Sequence, residues 1–267
     1  MLRTDNNVPI SKFIYSMKFD IPVSSIYQYQ YNFNTDMLNR YFDVDYINYG
    51  TDAIIRDILF LSKGKKIFFE KPNYMMVEKY ANAFDMEYTS FDDCDVAYIS
   101  YPNGVTLNNP KFEFKRYNKT IILDLSYYIY QVKNFDDFIN EVNYFRSLGY
   151  FLLFGASKIL GLPGLRVGMC AYEYPEVFNY FHQPTQISAP SYYILKRLWN
   201  AETINKHVDI INKSKEYFKE YFKDYIAFET EGPFIALTKD YKPKYGNEVR
   251  YCNDYYRFSI IDKDLYK

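Results

Sequence analysis

The sequence predicts an α/β protein: a mainly parallel central sheet with helices on both faces, followed by a small C-terminal α+β lobe. Three observations predict it. Strand-like and helix-like segments alternate between residues 50 and 172, as in a chain that returns across a parallel sheet. The segment TIILDL (120–125) is apolar without alternation until it reaches an acid, as a strand buried on both faces requires. Beyond Ser188 the pattern changes to a long helical stretch and then short strands.

Each element has its own reason. Residues 1–45 are irregular and rich in aromatics. TDAIIRDILFL (51–61) follows Gly50 and places Ile54, Ile55, Ile58, Leu59 and Leu61 at helical spacing, with Thr51 or Asp52 near its start. KIFFE (66–70) reads as a strand and MMVEKYANAF (75–84) as a helix. DVAYIS (95–100) is a strand ending in the turn-like YPNG, and TIILDL is the buried strand. FDDFINEVNYFRSL (135–148) is a helix with Phe138, Val142 and Phe145 on one face. YFLLF (150–154) and RVGMCAY (166–172) are strands around a loop that carries Lys158. One helical region is expected from about Ser191 to Phe222, and EVRYCNDYYRFSII (248–261) reads as short strands. The expected organisation is an N-terminal arm (1–45), a large α/β domain (46–188) and a small C-terminal domain (189–267).

Composition excludes several classes. The 267 residues suffice for one sizeable core or for a large domain with a smaller lobe. A formal net charge of −1 gives no electrostatic footprint for nucleic acid or a membrane surface. No apolar run approaches a membrane span, and MLRTDNNVPI has no signal-peptide core. Cys94, Cys170 and Cys252 are scattered and odd in number, which fits a reducing cytoplasm and no metal knuckle. With only His182 and His207, a Ser-His-Asp triad or a multi-histidine metal site is not expected. Lysine outnumbers arginine 23 to 9, so an arginine here marks a place where a planar, bidentate grip is needed.

The chemistry concentrates in FLLFGASKILGLPGLRVGMCAY (151–172). Lys158 stands among apolar residues, and burial of that kind disfavours the charged form and frees an amine for carbonyl chemistry. Glycines at 155, 161, 164 and 168 allow sharp turns and close backbone approach to a flat ligand. Arg166 is placed to hold an anion. On residue types alone, a lysine snorkelling from a strand–loop–strand surface is the commoner arrangement.

The segment SKILGLPGLRVG is similar to the S-K-x-x-G-L-x-G-L-R-x-G signature of class I/II aminotransferases, within the fold type I pyridoxal 5'-phosphate (PLP) enzymes. The histidinol-phosphate aminotransferase branch resembles it most. The resemblance implies that Lys158 carries the cofactor covalently and that Arg166 binds its phosphate. TIILDLSYYIY resembles the family's D-E-A-Y segment, so Asp124 would pair with the pyridine nitrogen and Tyr127 with the ring oxygen. YGTDAIIRDIL resembles a helix start whose backbone, at Gly50, Thr51 and Asp52, holds the phosphate. KPNYMMVEKY places Tyr74 where an aromatic ring stacks on the cofactor. LNRYFD (38–43) places Tyr41 where a tyrosine reaches the neighbouring subunit's phosphate, which implies a homodimer. TQISAPSYYIL (185–195) resembles the stretch after the domain hinge. YYRFSII resembles L-R-I-x-V-G, so Arg257 would grip the substrate's anion.

The pattern departs from the family in places. The chain is short, and N-P-T-G becomes YPNGVT, so Gly104 stands where an asparagine would bond the ring oxygen. Asn103, one place earlier, is the candidate substitute. A serine or threonine three residues before the lysine is replaced by Gly155, which leaves Ser157 as a phosphate ligand. The expectation is a PLP-dependent aminotransferase moving an amino group between an amino-acid or amino-phosphate donor and a keto acceptor, with Lys158, Asp124 and Tyr127 catalytic and no metal. An amino-acid-phosphate decarboxylase, or a trimmed non-catalytic relative acting as a binding protein, stays open at this point.

Overall fold

The computed structural model describes residues 8–19, 21, 44–181, 187–244, 249–252 and 254–266. Seven strands make one sheet: β1 (Tyr46–Asn48), β2 (Lys66–Phe69), β3 (Glu87–Tyr88), β4 (Val96–Ser100), β5 (Thr120–Asp124), β6 (Phe151–Gly155) and β7 (Gly168–Ala171). Their order is β1-β7-β6-β5-β4-β2-β3. The run from β3 through β2, β4 and β5 to β6 is parallel, and β7 and β1 close one edge antiparallel.

The unbroken apolar strands are explained by two cores on the two faces of this sheet. Side chains alternate across a strand. Val96 and Tyr98 enter one core, while Ala97 and Ile99 enter the other. The first face receives α2 (Gly50–Leu61) through Ile54, Ile55, Ile58 and Leu59, and α3 (Met75–Ala83) through Val77 and Ala81. The opposite face receives α4 (Phe135–Ser147), whose Phe138, Val142 and Phe145 follow the expected stripe, with Phe138 edge-on to Phe154 at 5.5 Å. Asn134 caps α4 by accepting from Asp137 N at 2.9 Å, and two acids fill its first turn. A short α1 (Lys12–Tyr15) precedes all of these.

A second sheet is antiparallel: β8 (Ile226–Phe228), β9 (Phe234–Leu237), β10 (Arg250–Cys252) and β11 (Tyr255–Ser259), in the order β10-β11-β9-β8. It packs on α7 (Ala201–Tyr221), where Phe218 meets Phe258 at 4.9 Å. The helical region expected from 191 to 222 is two helices, α6 (Ala189–Leu198) and α7. Asn200 breaks it: its backbone is extended and its side chain accepts from Thr203 N at 2.9 Å, which starts a new helix. The expected lysine loop contains one helical turn, α5 (Ala156–Ile159). Strands β1, β3, β8 and β9 were not anticipated, because two to four residues carry too little period to show before their partners are known.

Candidate active site

The parallel strands β4, β5 and β6 end side by side at Ser100, Asp124 and Gly155. An open parallel sheet offers its crevice at these carboxyl ends. A cavity of about 300 Å³ lies there, lined among others by Gly50, Thr51, Asp52, Tyr74, Asp124, Tyr127, Ser157, Lys158, Arg166 and Arg257. Ten of the positions singled out from the sequence thus meet in one cavity. Tyr41 lies outside the described residues. Asn103 is also absent from the lining. Its side chain is committed to backbone, accepting from Val105 N in its own turn at 2.8 Å and donating to Pro72 O in the loop after β2 at 3.1 Å. The expected replacement for the family asparagine is therefore corrected: the turn that follows β4 turns Asn103 away. Gly104 does line the cavity, and a Cβ there would stand 3.0 Å from Tyr127 Cε2. The tyrosine ring fills the space that a side chain at 104 would need.

One end of the cavity is a backbone cradle. Gly50 begins α2 at φ +76°, a left-handed conformation that favours glycine. A Cβ on it would lie 2.9 Å from Arg166 Nη2, so the guanidinium rests directly on the helix start. A Cβ on Gly168 of β7 would collide with Gly50 C and Thr51 N, and one on Gly155 would come within 2.7 Å of Val167 O. Amides in the first turn of a helix lack intrahelical acceptors and favour an anion. Asp52 turns its carboxylate sideways, accepting from Tyr80 Oη at 2.9 Å and Tyr74 Oη at 3.2 Å. Burial and that carboxylate push the Tyr80 hydroxyl up to about 12, and Tyr74 is raised for the same two reasons.

At the other end, Asp124 is 8% exposed at the tip of β5. It accepts from Ser126 N at 2.9 Å through Oδ1 and from Tyr98 Oη at 2.5 Å through Oδ2. Tyr98 is fully buried on the adjacent strand, and burial followed by the Asp124 charge raises its pKa well above the usual phenol range. Its proton stays on, so it acts as a permanent donor. Lys158 reaches in from α5, with Nζ 5.3 Å from the centroid of the Tyr127 ring. Tyr127 is held edge-on by Phe234 at 4.7 Å.

The second sheet supplies two arginines. Arg250 and Arg257 are register partners on β10 and β11 and both line the cavity. Arg257 is buried over the Phe234 ring and donates through Nη1 to Gly104 O. Tyr255 Oη donates to Val105 O, so the same strand clamps the loop at two points. The sequence reading missed Arg250, although the scarcity of arginine was the signal that could have found it. It also missed Tyr98, for which an apolar strand gives no cue, and Asn73, which lines the cavity and whose Nδ2 is buried with no acceptor among the described residues.

Comparison with solved structures shows the chain to have the fold of the fold type I PLP enzymes. It is similar to the histidinol-phosphate aminotransferase of Clostridium acetobutylicum (18% identity, 98% of this chain and 94% of that one, TM-score 0.73). It is similar to that of Sinorhizobium meliloti, solved in complex with pyridoxal-5'-phosphate (13%, 97% and 87%, 0.70). The L-threonine-O-3-phosphate decarboxylase of Porphyromonas gingivalis aligns over 91% of each chain at 14% identity and TM-score 0.66. No protein-family model matches the sequence, and no curated protein matches it. Among the described residues no helix is long and apolar enough to cross a membrane, and no cluster of side chains could hold a metal ion.

Proposed function

We propose that the chain is a PLP-dependent aminotransferase acting on a small anionic amino donor and a keto acceptor. The observation that carries this reading is the convergence of Lys158, Asp124 and Arg166 on one cavity at the carboxyl ends of the parallel strands. The residues fit the cofactor. The first-turn amides of α2, Ser157 and the Arg166 guanidinium would hold its phosphate, in a cradle where a Cβ at Gly168 would meet backbone. Asp124 would face its ring nitrogen and Tyr127 its ring oxygen. When bound, the cofactor supplies an electron sink for the bonds at the substrate's α-carbon.

The chain's own residues do the rest. The Lys158 amine would hold the cofactor and, as a free amine, would serve as general base toward the proton on the substrate's α-carbon. Asp124, oriented by Tyr98 and Ser126 N, would keep a proton on the ring nitrogen. Tyr127 would orient the ring oxygen. Arg257 and Arg250 grip the donor's anion, Arg as a planar fork suited to carboxylate or phosphate. Residues 46–188 would form the cofactor-binding domain, 189–267 the small domain and 1–45 an arm. Tyr41 would reach a partner's site in a homodimer.

The test is the absorbance of purified protein incubated with PLP, before and after borohydride, with Lys158→Ala alongside. A reducible band that peptide mapping places on Lys158 supports the reading. A folded wild type with no band overturns it and favours a non-catalytic binding protein. A decarboxylase is the second reading, favoured by the similarity to the threonine-phosphate enzyme and by the arginine pair. Release of carbon dioxide without any need for a keto acceptor would select it.

A further inference from the structure

Helix α5, which carries Lys158, is only four residues long. Its end is closed by Leu160 N donating to Ala156 O at 3.0 Å, and its start by Ala156 N donating to Val167 O at 3.1 Å. A helix this short cannot hold its own position, and its last carbonyls have no partner within it. One of these orphan carbonyls belongs to Lys158. Tyr130 Oη donates to it at 2.7 Å. The Tyr130 oxygen in turn lies 3.1 Å from His207 Nε2, and His207 Nδ1 lies 2.7 Å from Ser11 Oγ.

The protons along this chain are determined. A carbonyl only accepts, so the single Tyr130 hydroxyl proton goes to Lys158 O. His207 must therefore donate from Nε2 to the Tyr130 oxygen and accept at Nδ1 from the Ser11 hydroxyl. Ser11 Oγ accepts from Ile14 N at 3.3 Å. Each donor has an acceptor when the imidazole is neutral with its proton on Nε2. His207 and Ser11 are both 0% exposed, and burial lowers the His207 pKa to about 3, so the neutral ring persists.

The chain ties together elements remote in sequence. Ser11 caps α1 on the N-terminal segment, Tyr130 follows β5, and His207 lies on α7. The same N-terminal segment is pinned to the end of the chain, with Asp262 N donating to Ile10 O at 2.7 Å and Lys12 N to Asp262 Oδ2 at 2.9 Å. Its Val8 lines the cavity. We propose that His207 is a positioning residue: through Tyr130 it fixes the Lys158 backbone, and so couples the N-terminal segment and α7 to the placement of the reactive amine. The catalytic significance rests on the reading of Lys158 given above; the mechanical coupling does not.

The experiment has two arms. In cofactor-free protein, amide hydrogen exchange of residues 156–160 is compared with β6 as internal reference, for wild type, Tyr130→Phe, His207→Phe and His207→Gln. Losing a buried bond at this chain should speed exchange at 156–160 roughly tenfold relative to β6 in Tyr130→Phe and His207→Phe. His207→Gln, which keeps an amide donor toward Tyr130, should lie between them and wild type. In the PLP-loaded protein the pH dependence of cofactor absorbance should shift by about half a unit or more, in the same order. Exchange unchanged, or faster by the same factor in β6 and 156–160, overturns the coupling and leaves His207 a core residue. If the exchange ordering appears but wild type never forms a Lys158 adduct, the coupling stands and the cofactor reading falls. Tyr130→Phe keeps the ring and its packing, so the test survives a His207 variant that does not fold.

Discussion

The two walls of the cavity are built in opposite ways. The wall on the seven-stranded sheet is mostly main chain: β7 lies against the start of α2 at Gly168, and α2 opens on Gly50 under Arg166. Asp124 extends from a strand end fixed by ladders on both sides, and Lys158 from the short helical turn that follows β6. The wall on the four-stranded sheet is side chain: Arg250 is exposed on an edge strand, and Arg257 reaches across to the loop after β4. Close-packed backbone has one arrangement, whereas long side chains on an edge can be exchanged without disturbing the fold. Under the proposed function, the first wall would suit a constant cofactor and the second the choice of substrate.

The comparison breaks first at Lys158. Lys158→Ala should abolish the borohydride-fixed adduct and lower turnover at least about a thousandfold, measured by single-turnover assay. A smaller loss would remove the rigid wall's claim to the chemistry. Next is Gly168→Ala, whose Cβ has no room against Gly50 and Thr51. It should destabilise by about 1–3 kcal/mol in urea unfolding and weaken cofactor binding with it. Unchanged stability would mean that this wall yields after all.

Arg250→Ala tests the softer wall. It should raise KM for an anionic donor roughly tenfold or more, with kcat, cofactor binding and stability nearly unchanged. A matching fall in stability would make Arg250 structural. His207, which joins α7 to the lysine turn, gives a pH signature. Its pKa is about 3 in the folded chain and about 6.5 when unfolded, so only the unfolded state takes up a proton between these values. Stability is then full above about pH 6.5 and falls by about 1.4 kcal/mol per unit below it. Urea midpoints at pH 7 and 5.5 should show this in wild type and lose it in His207→Gln. The smallest effect is expected from Tyr98→Phe, which leaves Asp124 with its Ser126 bond: about a threefold change in turnover and little in stability.

Much of the first wall was legible in the sequence, because its residues sit on local signals. Lys158 and Arg166 share one segment with the glycines, Asp124 ends an apolar strand, and Thr51 follows a helix-starting glycine. Arg257 was found by its motif, but its bond to Gly104 O was not. Asn103 failed because the turn's own amides claimed its oxygen before any ligand could.

The sequence by itself determined the alternation of strands and helices, the two-faced burial of β5, and the order in which the site residues come along the chain. These follow from periods of two and 3.6 residues and from glycine, which act within a few neighbours. Only the tertiary structure decided that Tyr98 meets Asp124, that Arg250 faces Arg257, and that Ser11, His207 and Tyr130 form one chain ending on Lys158. Those meetings depend on strand register and on helices packed across the sheet, which no local pattern encodes.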